Sequence, residues 1–256
     1  MKGIWRIYRN LVITDLKIRY GGSFAAKFWV LFQPMFYLLF MTVVFFGVLD
    51  VRFGGGGLTG YVSALFLGLL PFLALQESLV RASVSMFERA QLIRCYPVNK
   101  YLVPLVPCGP ALITQGIATT AGILILTVVG RGHPTMLLVP AVIGIQIAGL
   151  TGLSLLAAAF FIERRELQPL LHWALQGWLF LSPVFYPQEK LPGFLGTASL
   201  GFNPLAQWAV LGRLVVIEGR VGPPEVWGVA LLLNLALLAA GVFWYSHRYP
   251  VLVDRV

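Results

Sequence analysis

Long stretches without a charged side chain dominate this sequence. A helix of about 20 apolar residues crosses the hydrocarbon core of a bilayer, which is about 30 Å thick. Hydrophobic residues make up 58% of the 256-residue chain and charged residues 11%, whereas soluble domains carry about 25% charged residues. The bilayer is therefore the predicted solvent for most of this chain. Six stretches contain no Asp, Glu, Lys or Arg: 28–49, 53–76, 101–130, 134–162, 167–188 and 226–246.

These stretches predict one all-α integral membrane domain over residues 1–256 with six transmembrane helices. Residues 1–27 are predicted to form an amphipathic helix at the inner interface, because apolar side chains recur there at helical spacing between basic ones. The predicted spans are 28–49, 61–80, 102–129, 135–162, 170–187 and 227–246.

Two segments outside the spans have distinct characters. Residues 81–100 are the main charged segment between spans on the inner side and are predicted to form a cytoplasmic helix. Residues 188–225 are apolar in part, but prolines and glycines would interrupt a spanning helix repeatedly, which is tolerated at membrane depth only inside protein or a cavity. We therefore predict outer re-entrant helices there; a seventh span is the alternative, and charge counting leaves it open. The interrupting residues are Pro192, Gly193, Gly196, Gly201 and Pro204.

The distribution of basic residues predicts the orientation. With the N-terminus in the cytoplasm and six crossings, 14 of the 19 Lys and Arg residues fall on the inner side and 5 on the outer side. This asymmetry follows the positive-inside rule and predicts that both termini are cytoplasmic. The net charge of +9 is therefore attributed to basic residues that orient the chain in the membrane and contact anionic lipids. No nucleic-acid partner is predicted.

The spans lack the groups that several functions require. Ion coupling and proton relays need ionisable side chains at depth, and here Glu77 and His172 lie near span ends. The sequence shows neither a nucleophile elbow nor clustered metal ligands, so no catalytic residue and no metal site is predicted. The sequence also lacks a phosphate-binding loop of the form G-x-x-x-x-G-K-[ST]. Gly55 and Gly60 have the required spacing, but Tyr61 occupies the position that needs lysine. An active transporter of this composition would take its energy from another chain.

Aromatic residues are concentrated in the first and fifth predicted spans. Aromatic faces stack on sugar rings, but they also serve as lipid-facing bulk, helix packing and interfacial belts, and both interpretations stay open. The first stripe holds Trp29, Phe32, Phe36 and Phe40 with Tyr37 beside them, and the fifth span carries Trp173, Trp178, Phe180, Phe185 and Tyr186.

Three stretches of the chain form the most specific pattern in this sequence. The first is Asp15-Leu16-Lys17-Ile18-Arg19-Tyr20 with Ser23, Trp29 and Pro34. The second joins Gly68–Pro71 and Glu77–Leu79 to Glu88–Arg94. The third joins the L-S-P-V-F-Y-P string of 181–187 to Leu191-Pro192 and Asn203-Pro204-Leu205. Together, and in this order along the chain, the three stretches resemble the permease (transmembrane) subunits of type-2 ABC exporters for bacterial polysaccharides such as O-antigen, teichoic acid and capsule.

The resemblance implies a homodimer carried on two cytoplasmic P-loop ATPase subunits, which would bind ATP and Mg while this chain binds no cofactor. The cargo would be a lipid-linked polysaccharide, moved outward across the bacterial cytoplasmic (inner) membrane. It also implies roles for four groups of residues. They are an ATPase-docking coupling helix (Glu88, Arg89, Gln91, Leu92, Arg94), an interfacial gate helix (Asp15, Lys17, Arg19, Tyr20), path-lining aromatics (Trp29, Phe32, Phe36, Tyr37, Trp173, Trp178, Phe185, Tyr186) and an outer gate (Pro183, Pro187, Asn203, Pro204).

Other interpretations remain beside this one. Asp15 and Arg19 are spaced as a stabilising i, i+4 pair, and Glu88 and Arg89 suit a solvated helix face. A type-2 permease for another amphiphile, such as a lipid or a drug, would share the same architecture. An intramembrane enzyme of lipid-linked sugar metabolism would need paired ionisable groups at depth. A scaffold protein would not stimulate a bound ATPase in response to cargo.

Overall fold

The computed structural model describes residues 2–20, 32, 35–53, 57–95, 99–190 and 200–254. Every regular element within these ranges is helical, which confirms the predicted all-α class. Short 3-10 turns join several of the helices, and the last seven residues of the second helix widen into a π-helix. The helices are α1 (Lys2–Tyr20), α2 (Met35–Val48), α3 (Gly57–Glu88), α4 (Ala90–Cys95), α5 (Leu102–Leu105), α6 (Cys108–Val128), α7 (Val139–Glu163), α8 (Gln168–Phe180), α9 (Pro204–Val216) and α10 (Pro224–Asp254).

Four helical stretches are long and apolar enough to cross a membrane: Gly57–Glu88, Leu102–Val128, Pro134–Glu163 and Pro224–Pro250. They correspond to the predicted second, third, fourth and sixth spans. The most apolar windows of the first and third stretches are 67% buried within the chain, against 17% for the other two. Therefore α3 and α7 form the centre of the bundle, while α6 and α10 leave most of their apolar surface facing outward.

The remaining predicted segments differ from simple spanning helices. The first predicted span is described mainly from Met35 to Val48. In the fifth, α8 ends at Phe180, and turns follow through 181–186. Its 13 residues reach about 20 Å at 1.5 Å per residue, which is shorter than the hydrocarbon core. Six spans in total therefore stay a prediction.

The structure also differs from the predicted bounds of the inner segment, 81–100, and of the outer segment, 188–225. No separate helix begins at residue 81, because α3 runs without interruption to Glu88. The outer segment contains α9, most of whose residues are buried against the bundle. Residues 191–199 of that segment lie outside the described ranges.

The tightest helix pair is α7 with α10. A Cβ added at Gly152 would lie against the backbone carbonyl of Leu237, and one at Gly241 against the backbone of Gly152. Both approaches fall well below the 3.0 Å that real Cβ atoms keep from their neighbours. Glycine at these two positions therefore lets the two backbones touch, in the way that small residues allow close helix packing in membranes.

Buried amides connect the central helices. The Gln115 and Gln146 side chains donate to each other across α6 and α7, at 2.7 and 2.8 Å. Trp208 of α9 donates its indole N–H to Asn234 of α10 at 3.1 Å, and Asn234 donates to Gln207 at 3.0 Å. Because polar groups in an apolar interior cost free energy unless they are paired, these bonds favour the packing of α6 against α7 and of α9 against α10.

Candidate docking surface and translocation path

The inner end of α3 and the short helix α4 carry the residues predicted to dock an ATPase. Backbone N–H groups of Arg89 and Ile93 donate to the carbonyls of Ser85 and Arg89, both at 3.2 Å, so helical geometry continues across the break between α3 and α4. Residues three apart therefore share a face. Glu88, Gln91 and Arg94 are exposed on that face, and we call these three side chains the docking surface.

The two other predicted docking residues face inward. Leu92 is partly buried against the cluster that holds Met86, Leu155 and Tyr245. Arg89 reaches across to α1 instead of extending into solvent, and burial lowers the pKa of its guanidinium. The predicted set of five thus divides into three outward residues and two that hold the segment to the protein.

A single stripe of α1 holds this helix against the bundle. Tyr8 donates its hydroxyl to the carbonyl of Leu105 at 3.3 Å, and burial raises its pKa to about 12 because the phenolate loses hydration. Val12 lies in the notch left by Gly109, where an added Cβ would meet the valine methyls at 2.6 and 2.8 Å. Asp15 is the next residue of the stripe, at i+7 from Tyr8. The opposite side of the helix is exposed and includes Lys17.

Asp15 accepts hydrogen bonds from two arginines. Arg81 of α3 binds the carboxylate with both terminal nitrogens, at 2.7 and 2.5 Å, and Arg89 contacts it at 3.1 Å. The carboxylate is 6% exposed. The sequence suggested Arg19 as its helical neighbour, but the long-range partners are 66 and 74 residues away. The side chains of Arg19 and Tyr20 lie outside the described residues.

The predicted path-lining aromatics separate into exposed and packed groups. Phe32, Phe36 and Phe40 stack in a row with ring centroids 5.8 and 6.5 Å apart, and Phe36 is 55% exposed. On α8, Trp173 is 74% exposed. These residues present aromatic surface to whatever fills the space beside α2 and α8.

The other predicted aromatics contribute mainly to packing. Phe185 is fully buried and stacks on Phe45 at 4.7 Å between ring centroids. Tyr37, Trp178 and Tyr186 are partly buried against the same core. Trp29 lies outside the described residues.

Asn203 connects three elements of the predicted outer gate. Its Oδ1 accepts the indole N–H of Trp178 at 2.8 Å and caps α9 by accepting from the N–H of Ala206 at 3.2 Å. Its Nδ2 donates to the hydroxyl of Ser182 at 2.8 Å. Pro204 follows as the first residue of α9, where the backbone N–H that proline lacks would have no acceptor within the helix. Asn203 therefore ties α8, the turn after it and α9 together.

Removing the Asn203 side chain is expected to lower the free energy of unfolding by about 2 kcal/mol, because Asn203→Ala removes a helix cap and leaves the partly buried indole N–H of Trp178 unpaired. Asn203→Ser is the matched control: its hydroxyl can cap α9 but is too short to reach Trp178, so we expect it to recover about 1 kcal/mol. Denaturant unfolding in detergent measures both. Equal stability of Asn203→Ala and the unsubstituted protein would contradict the assigned role.

Arg213 is a functional candidate that the sequence analysis only counted among the five basic residues of the outer side. It lies in α9 and is 7% exposed. Its guanidinium donates to the carbonyls of Ala64 at 3.0 Å, Val184 at 2.7 Å and Pro183. A charged residue inside the apolar string of α9 was the available signal, because such residues within membrane-embedded helices are rare and usually have specific partners.

A mixed-charge cavity of about 420 Å³ adjoins this arginine. Arg213 lines it together with the outer ends of α3 and α9 and with the turn that contains Pro187. Arg131, Glu189 and Glu218 contribute the other charged side chains of its wall. The predicted outer region thus combines a cavity that has charged side chains on its wall with a turn whose carbonyls accept hydrogen bonds from Arg213.

No protein-family model matches this chain. Among curated proteins, it is similar to the O-antigen export system permease protein RfbA of Myxococcus xanthus, with 24% identity over 252 residues and 94% of both chains covered. This match confirms the resemblance that the three motifs predicted: along nearly its whole length, this chain is related to a permease of bacterial polysaccharide export.

Proposed function

We propose that this chain is the membrane-spanning permease subunit of an ATP-driven exporter that moves a lipid-linked polysaccharide outward across the bacterial cytoplasmic membrane. The observation that carries the proposal is the match to an O-antigen export permease over 94% of both chains. The helical bundle with four long apolar stretches supports a multi-pass membrane protein. The positive-inside asymmetry supports cytoplasmic termini.

The energy for export comes, in this proposal, from a separate ATPase. Two such subunits bind ATP and Mg and sit beneath a homodimer of this chain, which itself binds no cofactor. The docking surface supports this arrangement, because it holds an acid, an amide and a base on one exposed face of a segment whose other face is packed. The sequence itself contains no phosphate-binding loop.

The exposed aromatic rows suit the proposed cargo. Phe32, Phe36 and Trp173 are exposed and lie on helices that the family resemblance assigns to the path. Aromatic rings with their faces free provide stacking surface for sugars along such a path. The outward apolar faces of α6 and α10 are available to lipid or to the second copy of the chain.

The first test is purification from native membrane in mild detergent, followed by identification of the copurifying proteins. We expect a stoichiometric P-loop ATPase. A stable homo-oligomer without any ATPase, even after crosslinking, would contradict the exporter proposal and favour a scaffold or an enzyme.

Reversing the charge of Glu88 is expected to lower the affinity for the ATPase by at least about tenfold, because opposite charges across the interface become like charges. The Glu88→Lys variant should still insert and fold, since this side chain is exposed and its segment keeps its packing. Glu166→Lys, an exposed acid on the inner turn after α7, is the matched control and should bind normally. Quantitative pull-down and export assays measure the effect; normal export by Glu88→Lys would remove Glu88 from the docking surface.

A further inference from the structure

Helix α1 is attached to two different parts of the protein through one stripe of side chains. Tyr8 and Val12 contact the beginning of the third span, at Leu105 and Gly109. Asp15 contacts the inner end of α3 and Arg89. This helix therefore bridges a fixed part of the bundle and the segment that carries the docking surface.

The charge balance at Asp15 makes this attachment strong. One carboxylate is shared by two guanidinium groups, and it is 6% exposed while Arg81 and Arg89 are 26% and 20% exposed. Attraction between partly buried charges is screened much less than between exposed ones. Because Asp15 belongs to α1, a displacement of either arginine therefore tends to move α1 as well.

The two arginines belong to different parts of the inner segment and bind Asp15 differently. Arg81 lies inside the continuous helix α3 and holds the carboxylate with two short bonds. Arg89 lies at the break before α4, next to Glu88 of the docking surface, and makes one longer contact of 3.1 Å. Its Nη1 is buried without a hydrogen-bond partner among the described residues. Because a buried unpaired donor is unfavourable, a shift of Arg89 that pairs this nitrogen would recover that cost.

We propose that Arg89 is a positioning residue that transmits displacement of the docking surface to α1 through the carboxylate of Asp15. The proposal rests on the function proposed above, because it needs an ATPase that moves the docking surface. Arg81 keeps α1 attached to α3. Arg89 shifts with the segment and moves the carboxylate of Asp15 with it. The position of α1 at the inner interface thereby becomes linked to the nucleotide state of the partner.

The test uses the complex with its copurified ATPase, reconstituted in liposomes, and the Arg89→Gln variant. This variant leaves the Asp15–Arg81 pair intact, so we expect it to fold and to bind the ATPase at the normal ratio. Spin labels at Thr14→Cys and Arg164→Cys, two exposed positions, in a Cys95→Ser background report the distance between α1 and the inner turn. In the parent complex this distance should change when ATP and vanadate trap the ATPase.

In Arg89→Gln the nucleotide-dependent change should disappear, and export per ATP hydrolysed should fall at least about fivefold. Arg89→Lys keeps the positive charge and should retain the change. Arg9→Gln, which removes an exposed arginine of α1, is the charge-matched control and should behave as the parent.

Three outcomes would overturn the inference while leaving the exporter proposal intact. One is an unchanged distance in the parent complex on trapping. Another is a normal distance change in Arg89→Gln. The third is loss of ATPase binding by Arg89→Gln, which would make Arg89 a docking residue instead. Absence of any copurifying ATPase would instead contradict the proposed function itself.

Discussion

Gly152→Ala is expected to lower the free energy of unfolding by at least about 3 kcal/mol, a large loss for the addition of one methyl group. The new Cβ would overlap the backbone carbonyl of Leu237 on α10. Because the obstacle is backbone, no side-chain rotation relieves the overlap, and α7 and α10 have to separate along their contact. Gly241→Ala meets the same contact from the other helix and should show a similar loss.

Controls for this prediction lie in the same two helices. Gly144 of α7 and Gly228 of α10 have nothing within 4 Å of an added Cβ, so alanine at either position should be neutral or slightly stabilising. Thermal unfolding in detergent measures the difference, and we expect the midpoint of Gly152→Ala to fall by about 6–12 °C. Equal midpoints for Gly152→Ala and Gly144→Ala would show that the close approach of α7 and α10 is absent in the protein.

Replacing Arg213 with methionine is expected to release the outer turn and to abolish export. The variant keeps a similar volume but leaves the buried carbonyls of Pro183 and Val184 without their donor. Each unsatisfied buried group costs about 1–3 kcal/mol. The variant also avoids the cost of burying a charge, which offsets part of that loss. We therefore expect a net destabilisation of about 2–4 kcal/mol.

Limited proteolysis and unfolding together test this role of Arg213. Cleavage within residues 181–190 should become faster in Arg213→Met, because the turn loses its attachment to α9. Arg213→Lys keeps the charge but cannot reach several carbonyls with a planar fork, so an intermediate result is expected. Arg220→Met removes an exposed arginine of the same region and should change stability by less than about 0.5 kcal/mol. Identical behaviour of Arg213→Met and Arg220→Met would contradict the assignment.

The long helices were predictable because their signal is local. A charge-free run of sufficient length has one stable state in a bilayer, since the helix satisfies every backbone group internally. The predicted bounds 102–129 and 135–162 agree closely with Leu102–Val128 and Pro134–Glu163. The predicted span 170–187 is less regular than hydropathy indicates. Helix α8 ends at Phe180, and the hydroxyls of Ser182 and Tyr186 donate to the carbonyls of Trp178 and Phe180 in the last turn of that helix.

The candidate site was predictable only in part. Glu88, Gln91 and Arg94 could be placed on one helix face because spacing of three is a property of the chain itself. The inward direction of Leu92 could not, because it depends on where Tyr245 and its neighbours pack. Arg213 was counted as an outer charge because a count of basic residues contains no information on burial. The three carbonyls that accept from its guanidinium are brought together only by the fold.

The sequence by itself determined the bilayer environment, the four long helices and the similarity to polysaccharide-export permeases, because hydropathy and motifs depend only on residues that are close together in the sequence. Only the tertiary structure decided which charges are buried and what holds them. Asp15 meets Arg81 across 66 residues of chain, and Arg213 meets Ala64 across 149. Such pairs form when packing brings distant helices together, and the free energy of a buried charge depends on the partners found there.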